Sequence, residues 1–467
     1  MTVPKFPLAN ARPATADGGL RLQDGSRIGV VGSGPAGSFF AYFLLDLSCR
    51  LGLNVSVDLY EARDFSQPAP RGCNMCGGII SESLVQNLAA EGIVLASDVI
   101  QRGIAGYVLH MDVGTVQIET PTREMRIGAV HRGSGPKDVV DQVWESFDGH
   151  LQAMALKKGA RLIRGRVDEI TRADGRPTIR ARGQDPVTYD LLAVAVGVNS
   201  PTLRLFEGLG IGYHRPTVTK TLIREYRLGD EVISRTMGNA MHVFLLKIPR
   251  LEFAAIIPKG EYVTMCLLGE DIDKALVDAF VRSPEVVACM PAGWNPDQHA
   301  CQCLPHINVG GAPACFADRF VFIGDCGVTR LYKDGIGAAY RTAKAAARTA
   351  VFEGIGARHF ARYYKPVCAT IAADNRAGRL AFMLIKVVQH SRILRRAMLR
   401  MAATEQTKPG PRRRLSGVFW DLFSGSAPYL DIFQRMLRPA LVVVLALHVA
   451  TSMARAMAAP ERRGAPS

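Results

Sequence analysis

Ser26-Arg27-Ile28-Gly29-Val30-Val31-Gly32-Ser33-Gly34-Pro35-Ala36-Gly37-Ser38, followed by an apolar run to Leu51 and then by Asn54-Val55-Ser56-Val57-Asp58-Leu59-Tyr60-Glu61, decides how this chain is read. Arg27 to Val31 is a short β-branched run that predicts a strand. It ends in a G-x-G-x-x-G, Gly32 to Gly37, which opens a helix over Ser38 to Leu51. Gly32 permits the turn, Gly34 lets the backbone approach a pyrophosphate, and Gly37 lets helix and strand pack closely, with Pro35 and Ala36 in the first turn. The next strand delivers Glu61, the acid expected at the ribose hydroxyls, followed by Ala62 and Arg63. A glycine motif alone is a weak signal. The strand before it, the helix after it and the terminal acid together predict a dinucleotide site, against the plainer reading of a tight turn in another α/β unit.

The chain has 467 residues, 48% hydrophobic and 21% charged, which fits two or three domains with a large core and excludes a disordered chain. A net charge of +15 asks for nucleic acid, an acidic substrate or an anionic membrane as partner. Position narrows this, because eleven Lys/Arg and a single acid, Glu405, fall between Arg376 and Arg414, outside the nucleotide motif. Ten cysteines in a chain of this length, with no apolar signal segment in Met1 to Pro7, read as reduced thiols of a cytoplasmic protein. Residues 1–25, rich in Pro, Ala and Gly, are expected to form a loose tail.

Beyond Glu61, a Pro-containing loop leads into Arg71-Gly72-Cys73-Asn74-Met75-Cys76-Gly77-Gly78, where paired glycines beside C-x-x-C call for close backbone approach. Strands at Gly106 to His110 and Val116 to Ile118 leave the nucleotide fold, so a second domain is inserted. Ala129 to Arg132 returns to it, and Val139 to Lys158 predicts one amphipathic helix. Tyr189 to Gly197 reads as a central parallel strand. Alternating stretches between Gly212 and Asn308 read as an antiparallel sheet, the expected floor of a substrate pocket. Arg319 to Asp325 is again a buried strand with an acid at its carboxyl end, and Gly335-Ile336-Gly337 starts an Ala-rich helix.

From Ser26 to Ala373 these motifs, in this order, resemble the para-hydroxybenzoate hydroxylase-like flavoprotein superfamily and, within it, the geranylgeranyl reductase family. The resemblance implies an α/β fold with a Rossmann-like FAD-binding domain (26–72, 132–211 and 313–375) and an inserted antiparallel-sheet substrate domain (73–131 and 212–312); residues 376–467, outside the resemblance, read from their own pattern as a basic, apolar helical C-terminal module. FAD is the implied cofactor, with NAD(P)H or a ferredoxin-like protein as electron donor. Its implied contacts are Gly32, Gly34, Pro35, Ala36, Gly37, Glu61, Ala62, Arg63, Arg71, Gly77, Gly78 and Arg132, then Gly324, Asp325, Gly335, Ile336 and Gly337. Asp325 would take the ribityl chain, and the Gly335 to Gly337 amides would face the flavin N1/C2=O edge, where a helix N-terminus favours negative charge by up to about 1–2 kcal/mol.

Cys73, Cys76 and Gly77 are the catalytic candidates, in a redox-active or substrate-proximal role with Cys76 as a candidate proton donor, against the plainer reading of cysteines in inert packing. Cys73/Cys76 and Cys301/Cys303, with His299 and His306, also supply enough ligands for a zinc or iron-sulfur site, but their spacing matches no strong cluster signature and no metal is expected. Three departures from the superfamily stand out. Val196 to Ser200 lacks the acid of an Asp-Gly found in many flavin hydroxylases. Phe253 to Pro258 keeps only the Ile-Pro of the halogenase Trp-x-Trp-x-Ile-Pro. Tyr332-Lys333 replaces a small-or-Pro region.

Leu380 to Met401 predicts one helix with an apolar and a cationic face, as suits an interfacial helix on anionic lipid, against the plainer reading of a solvated helix packed on the catalytic domain, and Lys408 to Arg414 reads as a Pro/Arg linker. Pro439 to Ala454, at about 24 Å, falls short of a roughly 30 Å hydrocarbon core. The expected location is therefore cytoplasmic, peripheral or monotopic on the membrane's cytoplasmic face, with no nucleic acid partner and no signal for an oligomeric state. The expected reaction is reduction of carbon-carbon double bonds in an isoprenoid or other hydrophobic lipid. The alternatives are a flavin monooxygenase of an aromatic or polyketide-like substrate, or a flavoprotein that passes electrons to a membrane partner without turnover.

Overall fold

The computed structural model describes residues 20–67, 72–73, 76–120, 127–137, 139, 142 and 144–458. Arg71, most of the expected tail (1–19), and Asn74 and Met75 lie outside these residues. The described end of that tail is not loose. Ile355 donates its amide to Leu20 O (2.9 Å), Gly25 donates to Asn54 O (2.8 Å), and Leu22 is buried.

A six-stranded sheet carries the nucleotide motif, in the order Phe316–Ala317, Phe320–Phe322, Leu191–Val194, Arg27–Val31, Ser56–Glu61, Arg161–Arg164. All neighbours are parallel except the Phe316–Ala317 edge. Ile28, Val30 and Val31 are buried, as a strand covered on both faces requires. From Arg27–Val31 the chain builds outward on one side, then returns to build Leu191–Val194 on the other. The order therefore reverses beside the glycine turn, where open α/β sheets leave a crevice for ligands. Helices Pro35–Arg50 and Gly335–Arg348 pack together on one face, with Phe39 and Phe43 meeting Tyr340 edge to face.

The second domain is an eight-stranded sheet built on Thr217–Arg227, Tyr262–Gly269, Leu251–Lys259 and Ala240–Phe244, continuing into Gly106–Met111 and Gly114–Glu119. It is antiparallel except at one seam, where Ala240–Phe244 runs parallel to Gly106–Met111. That seam exists because the two strands come from separate insertions, so no hairpin sets their direction.

Three expectations are corrected. The helix expected over 139–158 is Phe147–Lys157 alone; Ser146 Oγ accepts from the Gly149 amide (2.8 Å) and caps it there. The helix expected over Leu380 to Met401 is two helices, Lys365–His390 and Arg392–Gln406, divided at Ser391, whose Oγ accepts from the Leu394 amide. The Lys408 to Arg414 linker is a tied turn. Arg413 is buried and donates to Lys408 O, Gln406 Oε1 and Glu119 Oε2.

The C-terminal helices share a core with the second domain. Trp420 of Arg414–Ser424 stacks on Tyr107 at 4.6 Å, and Phe382 stacks on Phe253 at 5.7 Å. Arg395, read as part of a cationic face, is buried against Asp112, and Lys386 is held by Glu252 (2.7 Å).

At the parallel seam His110 and His242 lie side by side, with His110 Nε2 2.9 Å from His242 Nδ1. Burial pushes His110 down to about 4 and His242 down to about 3, the neighbouring ring adding to the second shift. Because both values fall below the ordinary 6.5, the unfolded chain binds more protons in that window. Stability is therefore complete above about pH 6.5 and falls as pH drops toward 4. Urea midpoints should decline between about pH 7 and about pH 4.5, and a His110→Gln/His242→Gln chain should decline less; equal slopes would contradict this assignment.

Candidate functional site: a cavity across the sheet edge

A cavity of about 1000 Å³ runs from the glycine turn, past Arg132 and Asp325, onto the second domain's sheet at Ile223, Phe253, Ile257 and Leu268. Of the expected residues, Gly32, Gly34, Pro35, Ala36, Glu61, Ala62, Arg63, Cys73, Cys76, Gly77, Gly78, Arg132, Asp325, Gly335 and Ile336 line it. Gly37, Gly324 and Gly337 stand behind its wall. A Cβ on Gly37 would lie 1.8 Å from Gly32 O, and one on Gly324 2.8 Å from the Ala36 Cβ, so Gly37 lets two backbones meet and Gly324 makes room for the Ala36 side chain. Gly34 differs, since a Cβ there would meet nothing closer than Arg132 Nη2 at 3.6 Å. Its bare Cα faces the cavity, which is the opening a pyrophosphate requires.

Glu61 ends its strand with Oε2 accepting from the Ser33 amide (2.9 Å) and Oε1 from the Arg63 amide (2.9 Å), so the acid is oriented before any ribose arrives. Arg132 is forked onto Asp148 by two hydrogen bonds of 2.9 Å. Asp148 and Asp325 both favour its charged form, which is shifted upward despite burial. Burial pushes the Asp325 carboxyl up, and the Arg132 guanidinium pulls it partly back.

The loop Cys76 to Gly78 is fixed from beneath. Lys259 donates to Cys76 O (3.0 Å) and sits 3.7 Å from Glu225, which accepts from Thr264 (2.7 Å); Lys259 and Glu225 are both fully buried. Gly78 takes a left-handed φ of 66°, and a Cβ there would stand 2.0 Å from Val130 O. Breaking such a buried pair by removing one partner costs about 3–5 kcal/mol. Glu225, with Thr264, His131 and Lys259 around it, carries no local signal in the sequence.

Among the cysteines, Cys73, Cys76, Cys301 and Cys303 all line this one cavity, so the two sequence-distant pairs face the same space. Burial pushes both Cys303 and Cys266 up to about 12, which keeps them as neutral thiols near neutral pH. Among the described residues no three His, Cys, Asp or Glu side chains are arranged to hold a metal ion.

Helix Gly335–Arg348 starts at the cavity, with the Asp334 carboxylate beside its first turn but making no capping hydrogen bond to it. Asp334, with φ 55°, lays its carboxylate where a Gly337 Cβ would be, 2.1 Å from Oδ1, and pairs with Arg330 (3.3 Å) and Arg341 (3.0 Å). The loop before it is clamped by the C-terminal helices. Asn375 binds both Thr329 O (2.8 Å) and the Leu331 amide (2.9 Å), Arg330 donates to Gly425 O (2.6 Å), and Tyr429 donates to Leu331 O. Phe423 and Ser424 of the same module line the cavity itself. The C-terminal module is thus a wall of the site.

No protein-family model matches the chain, and no curated protein sequence matches it. Solved structures do. A flavoprotein/dehydrogenase from Cytophaga hutchinsonii is 14% identical with a TM-score of 0.58, covering 92% of this chain and 100% of that one. A halogenase in complex with FAD is 12% identical with a TM-score of 0.55, covering 93% and 92%. A 2-methyl-3-hydroxypyridine-5-carboxylic acid oxygenase is 15% identical with a TM-score of 0.54, covering 79% and 94%. At these identities the likeness is one of fold, and the fold is that of FAD flavoproteins.

The glycines separate fold from binding. Gly34→Ala should melt within about 1 kcal/mol of the parent chain yet lose most of its dinucleotide affinity, whereas Gly37→Ala should lose at least about 1–3 kcal/mol of stability. Thermal melts and cofactor titration of both variants check this; a Gly34→Ala chain that binds normally would remove Gly34 from the site.

Proposed function

We propose that the chain is an FAD-dependent oxidoreductase of the monooxygenase type, acting on a ring-bearing, mostly apolar substrate. The carrying observation is the single cavity, whose one end is a glycine turn with an oriented acid and whose other end is an apolar sheet floor. When bound, FAD would supply two-electron chemistry, either hydride transfer or, with dioxygen, oxygen transfer. Gly34, Glu61 and Arg132 would hold its dinucleotide portion, and Asp325 with the Gly77-Gly78 backbone would border its ring end. Phe253, Ile257 and Phe423 exclude water from the substrate end. About 1000 Å³ must take cofactor and substrate together, which leaves a compact chamber better suited to a ring than to a long isoprenoid. The solved neighbours named as an FAD-bound halogenase and a hydroxypyridine carboxylic acid oxygenase support the same reading.

Reduction of an alkene in a lipid is the second reading. It is favoured by the Cys73 to Gly78 motif and by an exposed apolar stripe, Leu380, Met383, Leu384 and Val387, at helical spacing on Lys365–His390. Oxygen separates the two. With chemically reduced FAD and a panel of aromatic and isoprenoid compounds, product gaining one oxygen should form only in air; anaerobic product gaining two hydrogens would establish the reductase instead.

We propose in addition that this stripe, with exposed Arg376, Arg379 and Arg392 beside it, rests on anionic lipid. Among the described residues no single helix is long and apolar enough to cross a membrane, although Tyr429–Met436 and Pro439–Arg455, bent by 56°, reach that length together. The protein should sediment with phosphatidylglycerol-containing vesicles and less with pure phosphatidylcholine. Met383→Asp/Val387→Asp should remain in the supernatant, and a variant that still sediments would count against the stripe.

A further inference from the structure

Lys333 enters the cavity from the loop between Asp325 and helix Gly335–Arg348. Its two neighbours, Tyr332 (φ 60°) and Asp334 (φ 55°), both hold the left-handed conformation that side chains other than glycine rarely adopt. Such strain persists only where the surroundings over-determine it, and here the clamp from Asn375, Arg330 and Tyr429 does so. The result is a lysine pushed inward. Its Nζ lies 4.6 Å from the centre of the Phe253 ring and 5.8 Å from that of Phe423.

Among the described residues no carboxylate lies within ion-pair distance of this ammonium. Asp334, next in the chain, is already engaged by Arg330 and Arg341. Burial pulls Lys333 down to about 8. Near neutral pH the group is still mostly an ammonium. Aromatic faces support a cation but do not replace an anion in a low-dielectric site, where charge pairs interact most strongly. A strained loop, two aromatic walls and a cation with no counter-charge therefore describe a site completed by its ligand.

We propose that Lys333 forms an anion subsite in the substrate chamber, holding an ionised oxygen, carboxylate or phenolate, of a planar ring that lies against Phe253 and Phe423. The assignment rests on the reading of this chamber as the substrate end of the cavity. It narrows the substrate class to acidic aromatic compounds.

The test uses calorimetric titration of the full chain carrying its flavin, with benzoate, 4-nitrophenolate and neutral benzamide as probes. At least one anion should bind about tenfold or more tighter than benzamide. A preference for benzoate alone assigns a carboxylate, and a preference for nitrophenolate alone assigns a phenolate. Lys333→Met should bring the ratio to within about twofold, and Lys333→Arg should keep it; Lys333→Gln gives the same readout if the methionine variant folds poorly. Equal binding of all three probes by the parent chain, or a preference that survives Lys333→Met, would overturn the subsite. Flavin absorbance recorded on the same samples separates this outcome from failure of the cofactor reading. Loss of flavin with a Lys333-dependent anion preference would leave the subsite standing.

Discussion

A single carbon added to Gly37 would lie 1.8 Å from the Gly32 carbonyl oxygen, and the rest of the site depends on that contact. It fixes where helix Pro35–Arg50 can begin relative to the first strand. The same helix start meets Gly324 from the far side of the sheet reversal, where a Cβ would stand 2.8 Å from the Ala36 side chain. Two segments almost three hundred residues apart are thereby brought to one edge. Glu61, Arg132 and Asp325 reach the cavity because the backbones behind them are already seated.

The chemistry of the cavity then follows from how its far end is supported. Lys259 and Glu225, buried together, carry the Cys76 to Gly78 loop from below. Asn375, Arg330 and Tyr429 hold the loop that presents Lys333 from above. The C-terminal helices are therefore part of the chamber. Removing them would expose Tyr107 and Phe253 and release the loop that precedes helix Gly335–Arg348, so a membrane test by truncation would confuse anchoring with loss of the fold.

What was legible in the sequence was set by short-range backbone chemistry. The glycine turn, the strand ending in Glu61 and the strand before Asp325 each depend on residues within one turn of each other. The seam that pairs Gly106–Met111 in parallel with Ala240–Phe244 has no such local origin. The cationic face read over Leu380 to Met401 loses Arg395 for the same reason. Arg395 meets Asp112, 283 positions away, and nothing near either residue announces the other. Ser391 and Ser146 were legible in principle as N-caps, and the apolar periodicity running across them masked both helix starts. Lys333 was visible only as a departure from a small-or-Pro pattern, since its aromatic walls, Phe253 and Phe423, come from two distant segments.

The central claim is that this sheet edge holds FAD. Stoichiometric titration of the purified chain with FAD, followed by the visible absorbance bands and by quenching of flavin fluorescence, tests it most directly. The account predicts yellow protein binding one FAD per chain. A chain that stays colourless and leaves added FAD fully fluorescent would contradict it.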